Sequence, residues 1–126
     1  MIEVSIPLRT GRGLNDRMHR MARVRSVKAE RHTAYWYLHQ AAPFFGAHLT
    51  GEQHLDITLR RCSPSRGLDA DNLQGALKAV RDGVADWLRI DDGSARISWI
   101  YEQARHDTWM VQIAVEVTTC ESTTPA

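Results

Sequence analysis

The sequence predicts a single small α+β domain, with elements in the order β-α-β-α-β-β and a mixed sheet packed on two helices. Three observations support this prediction. The chain has 126 residues, enough for one hydrophobic core but not for two. Its composition is ordinary for a globular protein, with 43% hydrophobic and 25% charged residues. Four short segments are alternating or β-rich, and two longer ones have apolar residues at helical spacing.

The first strand is predicted in IEVSIPL, at residues 2–8, where every second side chain is apolar. Pro7 lacks an amide hydrogen, so it marks the end of this strand or an edge of the sheet. Gly11 and Gly13 then open a basic, turn-rich arm that continues to about Arg25. The arm is therefore expected to join the first strand to the first helix.

The remaining elements follow from periodicity and from turn residues. A helix is predicted from about Ser26, a possible N-cap, to about Gln40. HLDITLRRC, at 54–62, alternates and is predicted to be a strand. ARISWIYEQAR (95–105) and TWMVQIAVEV (108–117) are β-rich, and the short His-Asp link between them predicts a β-hairpin.

Charge is distributed unevenly along the chain despite a net charge of only +1. Residues 1–66 have eleven Lys or Arg and five acids, whereas residues 67–126 have five and ten. Eight of the bases lie between Arg9 and Arg31. A basic block beside an acidic patch suits a protein that binds a polyanion and holds cations against it. The alternative is two solvated surfaces of opposite sign.

The most unusual segment is LDADNLQGALKAVRDGVADWLRIDDG, residues 68–93, which contains six aspartates and no glutamate. Asp is a poorer helix former than Glu, so a merely solvated helix face favours Glu. A metal site favours Asp, because its shorter side chain loses less conformational freedom on binding. The segment is therefore a candidate metal site.

A helix over about 72–88 organises these residues. At about 100° per residue, Lys78 and Asp82 fall within about 20° of Asp71, and Gly75 within about 40°. An aliphatic stripe lies on the opposite side, formed by Leu73, Leu77, Val80, Val84 and Trp87. If residues 68–71 are extended, Asp69 and Asp71 point the same way. The polar line thus begins with two carboxylates and continues with a lysine.

Two convergent aspartates, joined by a third from another loop, resemble a magnesium site built from hard oxygen ligands. Beside a basic arm, such a site favours phosphodiester hydrolysis, in which the metal activates water and neutralises charge. The alternative is that Asp69 and Asp71 only cap the helix and that Asp91-Asp92-Gly93 is only a turn. Spacing does not decide between the two.

Other features narrow the class of protein. No run of eighteen apolar residues predicts a membrane span, and the amino terminus lacks the pattern of a signal peptide. Cys62 and Cys120 have no metal-type partner nearby, which favours reduced thiols in a cytoplasmic protein. Gly11-Arg12-Gly13 lacks the rest of a phosphate-binding loop, so no nucleotide cofactor is expected.

The segment 68–93 resembles the signature of the RusA family of Holliday-junction resolvases, which is common in phages and prophages. The family pattern is an Asp-x-Asp-Asn-Leu box, a helix with a lysine, and a later Asp-Asp near a Trp-Leu. LNDRMHRMARVRSVKAER, at 14–31, also resembles the family's Asn-x-Arg-x-His segment and trailing basic helix. The resemblance covers residues 1–118, and 119–126 are predicted to be a disordered tail.

The resemblance implies a homodimeric, magnesium-dependent endonuclease that nicks four-way DNA junctions symmetrically in the bacterial cytoplasm, with Mn²⁺ as a possible substitute. Asp69 and Asp71 match the acids of the box, and Asp92 matches the later catalytic acid, with Asp91 beside it as a further metal ligand. The family's lysine often follows the second box Asp by four residues, where this chain has Gly75. We take Lys78 as its replacement. A non-catalytic DNA-binding module with a compromised site is the alternative.

The bases expected to contact the DNA backbone are Arg17, Arg20, Arg23, Arg25, Lys28 and Arg31. The sequence also suggests how the acids meet. Residues 72–88 as an unbroken helix span about 25 Å, and the link 89–90 is too short to return Asp92 to Asp71. Either Gly83 breaks the helix, or the site is completed across a twofold dimer. The continuous aliphatic stripe favours the dimer.

Overall fold

Four strands form one mixed sheet in the computed structural model, which describes residues 1–10 and 20–119. The small α+β class and the predicted order of elements are confirmed. The elements are β1 (Ile2–Ile6), α1 (Arg20–Ala41), β2 (Gln53–Ser63), α2 (Ala70–Leu88), β3 (Ile97–Arg105) and β4 (Met110–Thr119), with a short 3-10 turn at Gly46–His48. β4 includes Thr119, and the rest of the predicted tail lies outside the described residues.

The strands are arranged in the order β1-β4-β2-β3. β2 pairs in parallel with β3 and antiparallel with β4, which pairs antiparallel with β1. One face of the sheet is apolar, and with both helices it forms the core; on β2 this face presents Leu55, Ile57 and Leu59, all fully buried. The alternate side chains of β2 are polar and partly or fully exposed over the first half of the strand. That part of the other face is therefore solvated, as antiparallel pairing permits.

The predicted hairpin of the last two strands is wrong, because β2 lies between β3 and β4. The chain leaves β3 and crosses the end of β2, where the amide of His106 donates to the carbonyl of Ser63 at 2.9 Å. β2, α2 and β3 form a strand–helix–strand unit, whose parallel strands require a long crossover. The most deeply buried strand thus takes the centre of the sheet and is hydrogen-bonded on both edges.

Helix α1 begins at Arg20, six residues before the predicted start at Ser26. Residues 20–25 are therefore helical and not part of a turn-rich arm, and the rest of that predicted arm, 11–19, lies outside the described residues. Arg and Met are good helix formers, so the basic composition of this segment does not oppose a helix. The six additional residues carry Arg23 and Arg25 on the same rigid element as Lys28 and Arg31.

Helix α2 is continuous from Ala70 to Leu88, and the predicted aliphatic stripe is buried along its whole length. Gly83 does not break it. A Cβ at Gly83 would overlap the carbonyl oxygen of Arg31 and stand 2.9 Å from the Cβ of Ala34. The glycine therefore lets α1 approach α2 closely, and the straight helix keeps its two ends apart.

The described residues also bear on the predictions about membrane spans and about the cysteines. None of their helices combines the length and the hydropathy that crossing a membrane requires. Cys62 is a buried free thiol, and burial raises its pKa. Cys120 lies outside the described residues.

Candidate functional site

The amino-terminal end of α2 presents the two acids of the box. Asp69 is the N-cap, with extended backbone (φ −69°, ψ 170°). Its Oδ1 accepts from the amide of Asn72 at 2.9 Å and from the side-chain nitrogen of Asn72 at 3.0 Å. Asp71 lies in the first helical turn and is exposed. The capping alternative is therefore confirmed for Asp69, while one of its oxygens remains outside these bonds.

The backbone at 68–71 differs from the extended segment that the sequence suggested. Asp71 already belongs to the helix, so alternation along a strand does not describe how the two carboxylates are oriented. Leu68 is instead fixed by Gln103 of β3. The amide of Leu68 donates to Oε1 of Gln103 at 2.9 Å, and Nε2 of Gln103 donates to the carbonyl of Leu68 at 2.6 Å. This pair of bonds holds the start of the box against the sheet.

At the other end of α2 the chain reverses through Arg89, which adopts a left-handed conformation with φ 58°. Asp91 is exposed, and its carbonyl closes a turn by accepting from the amide of Ser94 at 2.9 Å. The reversal brings Asp92 within reach of the side chains of Lys78 and Arg81. The link 89–90 therefore returns the later acid part of the way, further than its length had suggested.

Asp92 is the most constrained acid of the segment. Its Oδ2 accepts from Nζ of Lys78 at 2.9 Å and from Nε of Arg81 at 3.0 Å. Its carbonyl oxygen accepts from Arg81 at 2.9 Å and from the indole of Trp99 at 2.8 Å. The hydrogen bond from Lys78, with the charges of both cations, lowers the pKa of Asp92. This carboxylate is thus ionised and fixed in orientation.

Lys78 lies on the predicted polar line and is shared between two acids. Its Nζ also donates to Oδ1 of Asp82 at 2.9 Å, one turn further along α2. The hydrogen bonds to Asp82 and to Asp92 raise the pKa of Lys78. Its side chain is 58% exposed, so the ammonium remains accessible. Lys78 is therefore a charged and accessible side chain in direct contact with Asp92, one of the predicted metal ligands.

The structure separates the predicted metal ligands within one chain. Lys78 and Arg81, which bond Asp92, follow Asp71 by seven and ten residues on α2, about 10–15 Å along the helix axis. The Asp92 carboxylate is held at the tips of these two side chains, whereas Mg²⁺ requires oxygen ligands about 2.0–2.1 Å from the ion. Among the described residues, no three acidic, His or Cys side chains form a group able to hold a metal ion. The carboxylates suit Mg²⁺ chemically, but among the described residues of one chain Asp92 does not form a single ligand group with Asp69 and Asp71.

The acids that the structure does bring together lie near the carboxyl end of α2. Asp82, Asp86, Asp91 and Asp92 line a surface groove of about 330 Å³, which Arg31 also lines. Arg31 donates to both oxygens of Asp86, at 2.7 and 2.8 Å, and this bond lowers the pKa of Asp86. The groove is therefore already partly neutralised by α1.

The bases predicted to contact DNA are distributed along α1. Arg25 and Lys28 are exposed, as is Arg23. Arg31 is engaged by Asp86, so its first role is to hold α1 on α2. Arg20 is the first residue of the helix, and Arg17 lies outside the described residues. The predicted DNA-contacting role of these bases stays a prediction.

Two residues that shape the site were missed by the sequence reasoning. Besides its bonds to Asp92, Arg81 donates from Nη1 to the hydroxyl of Tyr101 at 2.8 Å, and its guanidinium lies over the ring of Trp99. Its place three residues after Lys78 was an available signal. Gln103 had no local signal, because it meets Leu68 across 35 positions.

A serine and a histidine meet on the open face of the sheet, away from these acids. Oγ of Ser98 lies 2.8 Å from Nε2 of His54. Oδ1 of Asp56 approaches the same nitrogen at 3.6 Å. In a nucleophilic triad the acid bonds the other ring nitrogen and so orients the base. This trio therefore lacks the arrangement that would activate the serine.

Comparison with known proteins gives no relative. No family model, no curated protein and no solved structure matches the chain.

Proposed function

We propose that this protein is a RusA-type, magnesium-dependent endonuclease that resolves four-way DNA junctions as a homodimer. The observation that carries the proposal is the continuous helix α2, with Asp69 and Asp71 at its start and Asp91 and Asp92 after its end. Lys78 lies between them and bonds Asp92. The Asp-x-Asp-Asn-Leu box supports the same function. Such an enzyme is expected in the cytoplasm of a bacterial host, encoded by a phage or prophage.

Exposure of the box supports a role beyond capping. Asp71 is exposed, and its carboxylate forms no hydrogen bond or ion pair with any described residue. A second acid in the first turn stabilises a helix through its dipole by only about 0.3–1 kcal/mol. Asp69 already caps the same helix. Two adjacent carboxylates accessible to solvent are what a site for a hard cation requires.

A dimer would bring the separated acids together. Within one chain the two residues that bond Asp92 start about 10–15 Å along α2 from Asp71, which does not favour a shared ion. Two antiparallel copies of α2 about a twofold axis would place Asp91 and Asp92 of one chain beside Asp69 and Asp71 of the other. An isologous dimer repeats this arrangement at two sites. Paired sites suit paired nicks in a junction that is itself nearly twofold symmetric.

The residues of the chain have distinct roles in this proposal. Lys78 and Arg81 fix the orientation of Asp92 and keep it ionised. Lys78, being accessible, is placed to stabilise charge on a phosphate oxygen. The bases of α1 would hold the DNA backbone, which supplies affinity without sequence selection. Magnesium, or manganese in its place, would supply the activated water.

A non-catalytic DNA-binding module is the alternative function, and one observation favours it. In each chain Asp92 is already neutralised by Lys78 and Arg81, and Gly75 occupies the position where the family often has its lysine. A site with this much internal neutralisation could have lost its ion. A binding module, however, has no use for two unneutralised acids facing phosphate.

The deciding experiment incubates the purified protein with a synthetic four-way junction, with and without Mg²⁺. The proposal predicts paired nicks only when Mg²⁺ is present. Asp71→Asn should abolish nicking and retain junction binding, because it removes a ligand and a repulsive charge. Asp107→Asn, an exposed acid after β3, is the matched control and should cut normally. Binding without nicking by the wild-type protein would support the alternative function.

A further inference from the structure

A second pocket lies beside the acidic box, at the ends of β2 and β3. It has a volume of about 370 Å³. Its polar lining consists of three arginines, two serines and one amide, namely Arg61, Arg66, Arg105, Ser63, Ser65 and Gln103. No carboxylate of the described residues lines it. The lining therefore offers hydrogen-bond donors and positive charge.

Arg61 is the buried base of this pocket, with only 2% of its surface exposed. Its Nε donates to the carbonyl of Thr10 at 2.9 Å, and its Nη1 donates to Oγ of Ser63 at 3.2 Å. The guanidinium also lies over the ring of Trp109, 5.1 Å from its centroid. Burial lowers the pKa of Arg61, and no described acid opposes this effect. A buried cation held only by neutral groups is costly, and a bound anion would reduce that cost.

The arginines of this pocket lack acid partners among the described residues, unlike three arginines elsewhere on the same body. Arg31, Arg60 and Arg81 each bond a carboxylate. Arg61, Arg66 and Arg105 form no ion pair with any acid of residues 1–10 and 20–119. Three adjacent guanidinium groups without a counter-charge from these residues are therefore concentrated at one place on the body of the protein.

The pocket is joined to the box through one short segment. Gly67 lines the pocket, and Asp69 follows two residues later, so their Cα atoms are at most about 7 Å apart. Gln103 lines the pocket and also holds Leu68 by two hydrogen bonds. Nucleotides of one DNA strand follow each other at about 3.4 Å along the helix axis. A phosphate in the pocket and one at the box would therefore be separated by about one or two nucleotides if they belong to one strand.

We infer that the Arg61 pocket binds a backbone phosphate of the DNA strand, one or two nucleotides from the phosphate facing Asp69 and Asp71. The inference rests on the proposed function and names a second contact for the same substrate. Guanidinium groups and serine hydroxyls are suited to phosphate oxygens, and charge-assisted bonds to them are the stronger kind. The pocket would fix the register of the strand at the box, a role distinct from the general affinity supplied by α1.

The test uses NMR of the arginine Nε–H groups, which follows Arg61 directly and does not depend on cleavage. The wild-type protein is titrated with a thymidine tetranucleotide, and in parallel with the same tetranucleotide carrying neutral methylphosphonate linkages. We expect the charged probe to shift the Arg61 signal and the neutral one to leave it unchanged. Arg66→Gln and Arg105→Gln, at exposed positions, should each weaken binding of the charged probe about tenfold.

Arg60→Gln is the matched control, because it removes the same charge from the neighbouring position on β2, where Arg60 pairs with Glu102. It should leave binding of the tetranucleotide unchanged. No response of Arg61, or equal weakening by Arg60→Gln, would overturn the inference. A protein that binds the probe at Arg61 but never nicks a junction would refute the proposed function and retain the phosphate pocket. Nicking without a response of Arg61 would refute only the pocket.

Discussion

Replacing Gly83 by alanine tests whether α2 is a continuous element docked closely on α1. The new Cβ would stand 2.9 Å from the Cβ of Ala34 and overlap the carbonyl oxygen of Arg31. Carbon atoms at their optimal separation are about 3.5–4.0 Å apart. The two helices would therefore have to separate by up to about 1 Å. Neither obstacle can rotate away, since one is backbone and the other is a β-carbon.

Two opposing effects set the size of the change in stability. Overpacking a well-packed interface costs about 1–3 kcal/mol. Alanine is better than glycine in a helix by about 1 kcal/mol, which offsets part of that cost. The free energy of unfolding is therefore expected to fall by up to about 2 kcal/mol. The separation would also strain the bonds between Arg31 and Asp86, which join the same two helices.

Urea denaturation followed by circular dichroism measures this change. Gly51→Ala is the control, because nothing lies within 4 Å of a Cβ added there, and it should change stability by less than about 0.5 kcal/mol. If Gly83→Ala is more stable than the wild-type protein, the helices are not packed closely at Gly83.

Three further predictions concern the site. Lys78→Ala should lower the single-turnover cutting rate by about 10²-fold or more while junction affinity changes little; weaker affinity at an unchanged rate would make Lys78 only a phosphate-binding residue. Replacing Arg25 and Lys28 by glutamine should weaken junction binding. It should also reduce the slope of log affinity against log salt concentration by about 0.9 for each phosphate that is no longer neutralised. An unchanged slope would show that the DNA does not contact these two bases. The pKa of Asp92 is lowered in the folded protein, so its ionised form adds stability above about pH 4 that disappears as the pH falls through the lowered pKa. Denaturation curves at several pH values measure the difference in stability between the wild-type protein and Asp92→Asn. This difference should be largest near neutral pH and shrink below about pH 4. A difference that does not change with pH would contradict the ion pairs of Asp92.

The elements of this fold could be predicted where a local pattern decides them. The stripe from Leu73 to Trp87 indicated both the existence and the buried face of α2, and alternation identified β2. The order of strands could not be predicted in the same way. A two-residue link normally joins paired strands, and only the parallel pairing of β2 with β3 moves β2 between them. That pairing depends on interactions between residues distant in sequence.

The site shows the same division between local and long-range causes. Helical spacing placed Lys78 and Asp82 on one line, and they are bonded to each other. The return of Asp92 to Lys78 depends on the left-handed conformation of Arg89, a residue type for which this conformation is rare. The buried Arg61 lies inside an alternating strand, and nothing in its neighbours indicates that no described acid would meet it. Its isolation follows from packing against Thr10 and Trp109.

The most direct test of a nuclease site assembled from two chains is complementation. Asp71→Asn and Asp92→Asn chains, each inactive alone, are mixed in equal amounts, refolded together and assayed for Mg²⁺-dependent nicking of a four-way junction. In a shared site, a heterodimer has one site with both substitutions and one with neither. Random pairing would then restore about a quarter of the wild-type sites, and their products would be single rather than paired nicks. A mixture as inactive as either variant alone would contradict the shared site.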